Sequence, residues 1–168
     1  MTNRKPSKQE HYDTLVESLE FFEAKIIEIE AECDALPALC ELFDYQQLAN
    51  KLQKLNYREE LTPTELEVAE DLIKRANASP QLDKDELITL IKETFDKVTT
   101  SYLKQVSICD DLEEFHSKEK FNKEVKMRID IGAVREIKDI QLQILKKRRE
   151  MKKVLINQLN DKKYDEKG

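Results

Sequence analysis

Apolar residues near the start of the chain recur at alternating intervals of four and three. This seam consists of Leu15, Leu19, Phe22, Ile26, Ile29, Cys33 and Leu36. Such heptad spacing, with charged residues between the apolar ones, predicts an amphipathic helix that begins near Glu10. Val16, Phe21 and Ile27 lie beside the seam and widen the apolar stripe. A stripe of this width favours a helical bundle over a two-stranded coiled coil.

Pro37 follows the seam directly. Proline lacks a backbone N–H, and its ring clashes with the preceding helical turn. We therefore expect the first helix to end near Asp34, and a second helix to carry Pro37 in its first turn and to fade at Asn56. The apolar residues of this second helix are Leu39, Leu42, Phe43, Leu48, Leu52 and Leu55.

Two later segments carry the signature of a helix start. Residues 62–65 (TPTE) place Thr at the N-cap, Pro at the first helical position and Glu at the third, which predicts a capping box. Residues 83–86 (DKDE) repeat the arrangement with an Asp cap. The predicted hydrophobic staples are Leu61 with Leu66 and Leu82 with Leu87. We expect a third helix over 63–76 and a fourth from near Lys84.

The hydrophobic period weakens after residue 112. Residues 127–132 alternate like a strand and end on Gly132. A strand without a partner is implausible, so we expect a kink or a short extended break within 117–132. A last helix is predicted over 133–161, with one apolar side made of Val134, Ile137, Ile140, Ile144, Met151 and Leu155.

Composition narrows the fold class. The 168 residues include only two Gly, and 38% are charged. Two glycines cannot supply the turns of an all-β fold, and they disfavour α/β folds as well. We predict an all-α protein: an antiparallel helical bundle or hairpin head with a long C-terminal coiled-coil helix. The expected division is a disordered leader (1–10), a helical head (11–116), a break (117–132), a coiled-coil arm (133–161) and a polar tail (162–168).

Charge is unevenly distributed. Residues 118–168 carry a balance of +7, and residues 1–117 carry −13. The basic patch consists of Lys146, Lys147, Arg148, Arg149, Lys152 and Lys153. The patch has three interpretations: a solvated face of a coiled coil, which we favour, an import signal or nucleic-acid contact, or a membrane-surface contact.

Candidate chemistry is sparse. Cys33 and Cys40 are seven residues apart, or about 10 Å along a helix, too far to share a metal ion. We interpret them as small apolar seam residues and expect reduced thiols. His116 is interpreted as a solvated helix-end residue rather than a general base or pH sensor. The sequence lacks the G-x-S-x-G, H-E-x-x-H and glycine-rich phosphate motifs, so we predict no enzyme, cofactor or metal.

The predicted function is that of a non-enzymatic scaffold or adaptor subunit of a multiprotein complex. Apolar sides that the chain cannot cover would meet other helical subunits, in a hetero-oligomer rather than a homodimer. The predicted partner-binding residues are Leu15, Leu19, Phe22, Ile26, Ile29, Ile137, Ile140, Ile144, Met151 and Leu155. The build resembles that of kinetochore, spindle, tethering and co-regulator subunits, but no motif singles out a family. The alternative is a nucleic-acid or chromatin-associated protein that uses the basic C-terminal helix.

Location follows from what the sequence lacks. No run approaches the roughly 18 consecutive apolar residues of a membrane span. The start has no apolar segment of the kind found in secretory signals. We therefore expect an intracellular protein, nuclear or cytoplasmic.

Overall fold

The computed structural model describes residues 6–54 and 57–161, with the backbone alone for Tyr57 and Arg58. These residues form helices and no strand, which confirms the all-α class. The helices are α1 (Lys8–Lys54), α2 (Tyr57–Glu60), α3 (Pro63–Asn77), α4 (Lys84–Glu119) and α5 (Ile131–Asn160). Within the described ranges, no helix is both long enough and apolar enough to cross a membrane. Residues 1–5 of the predicted leader, the predicted helix end at 55–56 and the predicted tail at 162–168 lie outside them.

The start of α1 corrects the predicted leader, because residues 8–10 are already helical. The Glu10 N–H donates to Ser7 Oγ (3.1 Å), and the Ser7 N–H donates to Glu10 Oε2 (3.4 Å). This reciprocal pair is a capping box, which satisfies backbone donors that have no partner inside the helix. The sequence contains the matching S-x-x-E pattern at 7–10.

The predicted break at Pro37 is wrong, because α1 continues through it to Lys54. Pro37 is exposed, whereas Cys33, Leu36, Cys40 and Phe43 are all buried. Their spacing of three, four and three continues the heptad across the proline. A proline inside a helix costs about 3 kcal/mol, and burial of Leu36 and Phe43 contributes about 3–6 kcal/mol. Packing therefore outweighs the local penalty.

The two predicted capping starts are confirmed. The Thr62 hydroxyl accepts from the Glu65 N–H (3.3 Å), and the Glu65 carboxylate accepts from the Thr62 N–H (3.3 Å). Asp83 Oδ2 accepts from the Glu86 N–H (3.0 Å) at the start of α4. Helix α3 ends one residue beyond its predicted end, at Asn77.

Residues 120–130 are not helical. Met127, Ile129 and Ile131 pack against buried apolar residues, while Arg128 and Asp130 are exposed, which explains the strand-like alternation. The side chains of α1 take the place of a partner strand. The Tyr12 hydroxyl accepts from the N–H groups of Arg128 (2.7 Å) and Ile129 (2.8 Å). Gln9 bonds the backbone of Lys126 through both its oxygen (2.7 Å) and its nitrogen (3.2 Å).

The chain divides into two compact units. The first takes its residues from Met1–Ala31 and Thr94–Glu150, and the second from Glu32–Glu93 and Met151–Gly168. A core in the first unit consists of Tyr12, Val16, Leu19, Cys109, Leu112, Phe115, Val125 and Val134. Buried apolar residues of the second unit include Cys33, Leu36, Cys40, Phe43, Ala69, Leu87, Ile91, Leu155 and Leu159.

This division differs from the predicted head (11–116) and arm (133–161). Helix α5 buries Val134 and Leu145 in the first unit, and Leu155 and Leu159 in the second. An arm projecting into solvent would leave these four side chains in water, at a cost of about 25 cal/mol for each Å² of apolar surface. The C-terminal helix is therefore part of both units.

Candidate interaction surfaces

Most of the predicted partner-binding residues of α1 are covered by the chain itself. Leu19, Ile26 and Ile29 are buried, and Leu15 packs against the core of the first unit. Phe22 is half-buried, with the Lys104 ammonium 5.3 Å from its ring centre. In this structure the α1 seam is therefore internal packing.

The predicted residues of α5 are placed less uniformly. In the first unit, Ile137 packs against the core, Ile144 is half-buried and Ile140 is 47% exposed. In the second unit, Leu155 is buried and Met151 is half-buried. The predicted apolar side of α5 is thus only partly covered.

The side of α5 that faces the core of the first unit is more polar than predicted. Lys138 Nζ lies 2.5 Å from Asp110 Oδ1 on α4. With the Gln105 side-chain amide oriented so that its oxygen and nitrogen exchange places, the Gln141 nitrogen donates to the Gln105 oxygen (3.2 Å). In that orientation the Gln105 nitrogen donates to the Leu19 carbonyl of α1 (3.3 Å). Gln105 and Gln141 are buried, and hydrophobic periodicity gave no sign of either.

Arg148 is half-buried and is not part of an exposed basic patch. It pairs with Glu30 of α1, and both side chains are 19% exposed. The Tyr102 hydroxyl of α4 donates to Glu30 Oε1 (2.6 Å). Desolvation by burial lowers the pKa of Arg148 from its ordinary value. The Glu30 carboxylate thereby links side chains of three helices in the first unit.

The other residues of the predicted basic patch are more accessible. Lys146, Lys147 and Arg149 are exposed in the first unit. Lys153 is exposed and Lys152 is half-buried, and both belong to the second unit. Four of the six predicted cations are thus exposed, three in the first unit and one in the second.

A buried amide in the second unit was also missed by sequence reasoning. Gln46 Nε2 donates to the Pro80 carbonyl (3.0 Å), and Gln46 Oε1 accepts from the Leu82 N–H (2.9 Å). Nearby on α1, Asp44 Oδ2 accepts from Gln158 Nε2 of α5 (2.7 Å). Gln46 holds the loop that joins α3 to α4, a role that a polar residue in a helix does not reveal in sequence.

The thiols have the properties of packing residues. Cys33, Cys40 and Cys109 are free and buried. Burial, with neighbouring carboxylates, raises the pKa of each thiol to about 11. At neutral pH they are protonated, and a protonated thiol is a poor nucleophile and a poor metal ligand.

The acidic residues near the end of α4 are engaged in ion pairs. Asp110 pairs with Lys138, and Glu114 Oε1 lies 2.7 Å from Lys118 Nζ. His116 is half-buried, with its ring edge toward Tyr12 at 6.1 Å, and its Nε2 makes no hydrogen bond to the described residues. Those residues contain no group of three or more His, Cys, Asp or Glu side chains that could hold a metal ion.

An aromatic pair on α1 in the first unit consists of the exposed Phe21 and the half-buried Phe22. Phe21 is 61% exposed and meets Phe22 edge-on, with 5.3 Å between ring centres. The Lys25 ammonium lies 5.9 Å from the Phe21 ring centre, and that of Lys104 lies over Phe22. Phe21 and Ile27 were expected to widen the internal stripe, but both face solvent.

Comparison with known proteins gives no relative from which a role could be transferred. No family model matches the chain, and neither a curated protein nor a solved structure is significantly similar to it.

Proposed function

We propose that this protein is a non-enzymatic scaffold or adaptor subunit of a multiprotein complex. The aromatic pair Phe21–Phe22 is the observation that carries the proposal. Partner helices would pack on Phe21 and on the accessible part of Phe22, and not on the seam residues that the chain buries, such as Leu19, Ile26 and Ile29.

The aromatic pair has the properties of an interface anchor. Scattered exposed apolar residues are ordinary on protein surfaces, but here two rings touch and each has a lysine ammonium near its face. Covering the exposed part of Phe21 would contribute about 1–2 kcal/mol. Aromatic residues, Phe among them, are also enriched at protein interfaces.

The chemistry of the described residues supports a non-enzymatic role. The three thiols are buried and protonated at neutral pH, and Asp110 and Glu114 are committed to ion pairs. A catalytic site requires a nucleophile or an acid–base pair held beside a concave surface. Long helices with paired surface charges suit binding to other helices better.

Within this class, we propose a subunit of the kinetochore or spindle, tethering or co-regulator type. We also propose an intracellular location. The nucleic-acid alternative has less support than it had from sequence. Arg148 is committed to Glu30, so fewer of the predicted cations are available to phosphates.

Affinity purification with a matched pair of variants tests the proposal. Phe21→Glu places a charge on the proposed anchor, and Val68→Glu places one on a side chain of similar exposure (66%) on α3. We expect the native chain and Val68→Glu to recover the same stoichiometric helical partners from its native cells, and Phe21→Glu to lose them. Recovery of no stoichiometric partner by the native chain, or full retention by Phe21→Glu, would contradict the proposal.

A further inference from the structure

The turn after α4 presents the most exposed large apolar side chain in the described part of the protein. Phe121 is 85% exposed, compared with 68% for Ile27, the next in rank. It lies in residues 120–126, here called the Phe121 turn. Neither the internal packing nor the proposed adaptor function uses this side chain.

The Phe121 turn is held in place by its neighbours. The Asn122 N–H donates to the Glu119 carbonyl (3.0 Å), and Asn122 Oδ1 accepts from the Glu124 N–H (3.0 Å). Asn122 Nδ2 donates to Glu119 Oε2 (3.1 Å). Val125 is buried, and the backbone of Lys126 is bonded to Gln9. Phe121 is therefore displayed by an ordered turn whose two ends are fixed.

Three lysines share the turn with the exposed ring. Lys120 Nζ lies 4.9 Å from the Phe121 ring centre, and Lys123 and Lys126 are exposed. None of these three ammonium groups forms an ion pair with a described residue. Glu124 is the one acidic residue in the turn, so the turn carries a net charge of +2.

We propose that the Phe121 turn docks on an anionic lipid bilayer. The phenyl ring would enter the boundary between headgroups and acyl chains, and the lysine ammonium groups would contact anionic headgroups. This combination of an aromatic ring with lysines is typical of interfacial membrane binding. The proposal goes beyond the adaptor function and does not depend on it.

The lysines favour a lipid surface over a protein one. Protein interfaces are depleted in Lys, and their charged anchors are more often Arg. Lysine has a long flexible stem that lets its ammonium follow headgroups while the stem covers apolar surface. Phe121 is also the one exposed apolar side chain of the turn, because the other residues of the turn are polar or, like Val125, buried.

One ring and a net charge of +2 give weak, reversible attachment. A single myristoyl chain, which buries more apolar surface, binds bilayers with an association constant of only about 10⁴ M⁻¹. We therefore expect half-saturation at about 1 mM accessible anionic lipid. Binding should weaken with salt, because screening shortens the reach of the lysine charges.

Tryptophan fluorescence tests the proposal in the full chain, which contains no Trp. Phe121→Trp would place a reporter in the turn, and Val154→Trp would place one at another exposed position (62%) that also follows lysines. Vesicles of phosphatidylcholine with about 30% phosphatidylserine would be compared with vesicles of phosphatidylcholine alone. Circular dichroism would establish that both variants retain the helical fold.

We expect a blue shift for Phe121→Trp with the anionic vesicles, reversed at about 0.5 M salt, and none for Val154→Trp. Adding Lys120→Gln and Lys123→Gln to the reporter should weaken binding about tenfold or more. No shift at several millimolar lipid, an equal shift on uncharged vesicles, or an equal shift for Val154→Trp would overturn the proposal. A further contradicting result would be that Phe121→Ala loses a protein partner and Phe121→Trp shows no response to vesicles. The turn would then be a contact site for a protein. The Phe21→Glu experiment tests the adaptor function independently of membrane binding.

Discussion

In the first unit, α1 and α5 bury different kinds of side chain. The inward residues of α1 are mainly apolar and include Tyr12, Val16, Leu19, Ile26 and Ile29. Those of α5 include Val134, Gln141, Leu145 and Arg148. Apolar residues that α5 could have buried, Ile140 and Leu142, are instead 47% and 41% exposed. A hydrophobic stripe therefore locates the buried side of α1. On α5 it includes the exposed Ile140 and omits the buried Gln141 and the half-buried Arg148.

A buried residue on α1 and an exposed residue on α5 should differ strongly in their contribution to stability. Leu19→Ala removes a buried side chain and should lower the free energy of unfolding by about 2–5 kcal/mol. Ile140→Ala removes a half-exposed one and should cost less than about 1 kcal/mol. Chemical denaturation of both variants measures the difference. Equal losses would mean that α5 buries its isoleucine stripe.

The amide pair tests whether the polar side of α5 faces inward. Gln141→Leu alone should cost about 1–3 kcal/mol, because it removes the side-chain donor to the buried Gln105 oxygen. Adding Gln105→Leu should recover most of that loss, since both partners are then apolar. A double-mutant cycle by denaturation measures the coupling. If the effects of the two substitutions on stability are additive, the two amides do not contact each other.

The caps of the two helices should give the smallest effects. Ser7 caps α1, and Asp130 caps α5 by accepting from the Gly132 N–H (3.0 Å). Ser7→Ala and Asp130→Ala should each lower stability by about 0.5–2 kcal/mol. Thermal melting is sufficient to detect this, with Thr64→Ala as a control inside α3. No change in either variant would mean that these helices begin elsewhere.

Features that depend on local chemistry could be predicted from the sequence. The capping box at Thr62 and Glu65 needs only four adjacent residues, and it is present in the structure. The heptad seam of α1 can also be recognised in the sequence, because its buried side chains are apolar. The capping box at Ser7 and Glu10 has an equally local pattern but was not predicted. The continuation of the heptad across Pro37 was not predicted either.

Features that depend on distant partners could not be predicted. Arg148 is half-buried because Glu30, 118 positions away, lies opposite it. Gln46 is buried because its side-chain amide forms hydrogen bonds with the backbone of the loop at 78–82. Sequence pattern assigns such residues to solvent, since it records side-chain polarity and not the presence of a partner. For the same reason, it could not show that Phe21 would face outward.

The pair Glu30–Arg148 gives the most direct test of the claim that α5 turns a polar side inward. Thermal unfolding would compare Arg148→Glu, Glu30→Arg, the double charge swap, and Lys147→Glu as the exposed neighbour. We predict that each single change at the pair lowers the melting temperature strongly, because it leaves two like charges in a mostly buried site, a loss of about 3–5 kcal/mol. The double swap should recover much of this loss, and Lys147→Glu should change stability by less than about 0.5 kcal/mol. If Arg148→Glu proves as mild as Lys147→Glu and the swap shows no coupling, Arg148 lies on the surface and the account of α5 is wrong.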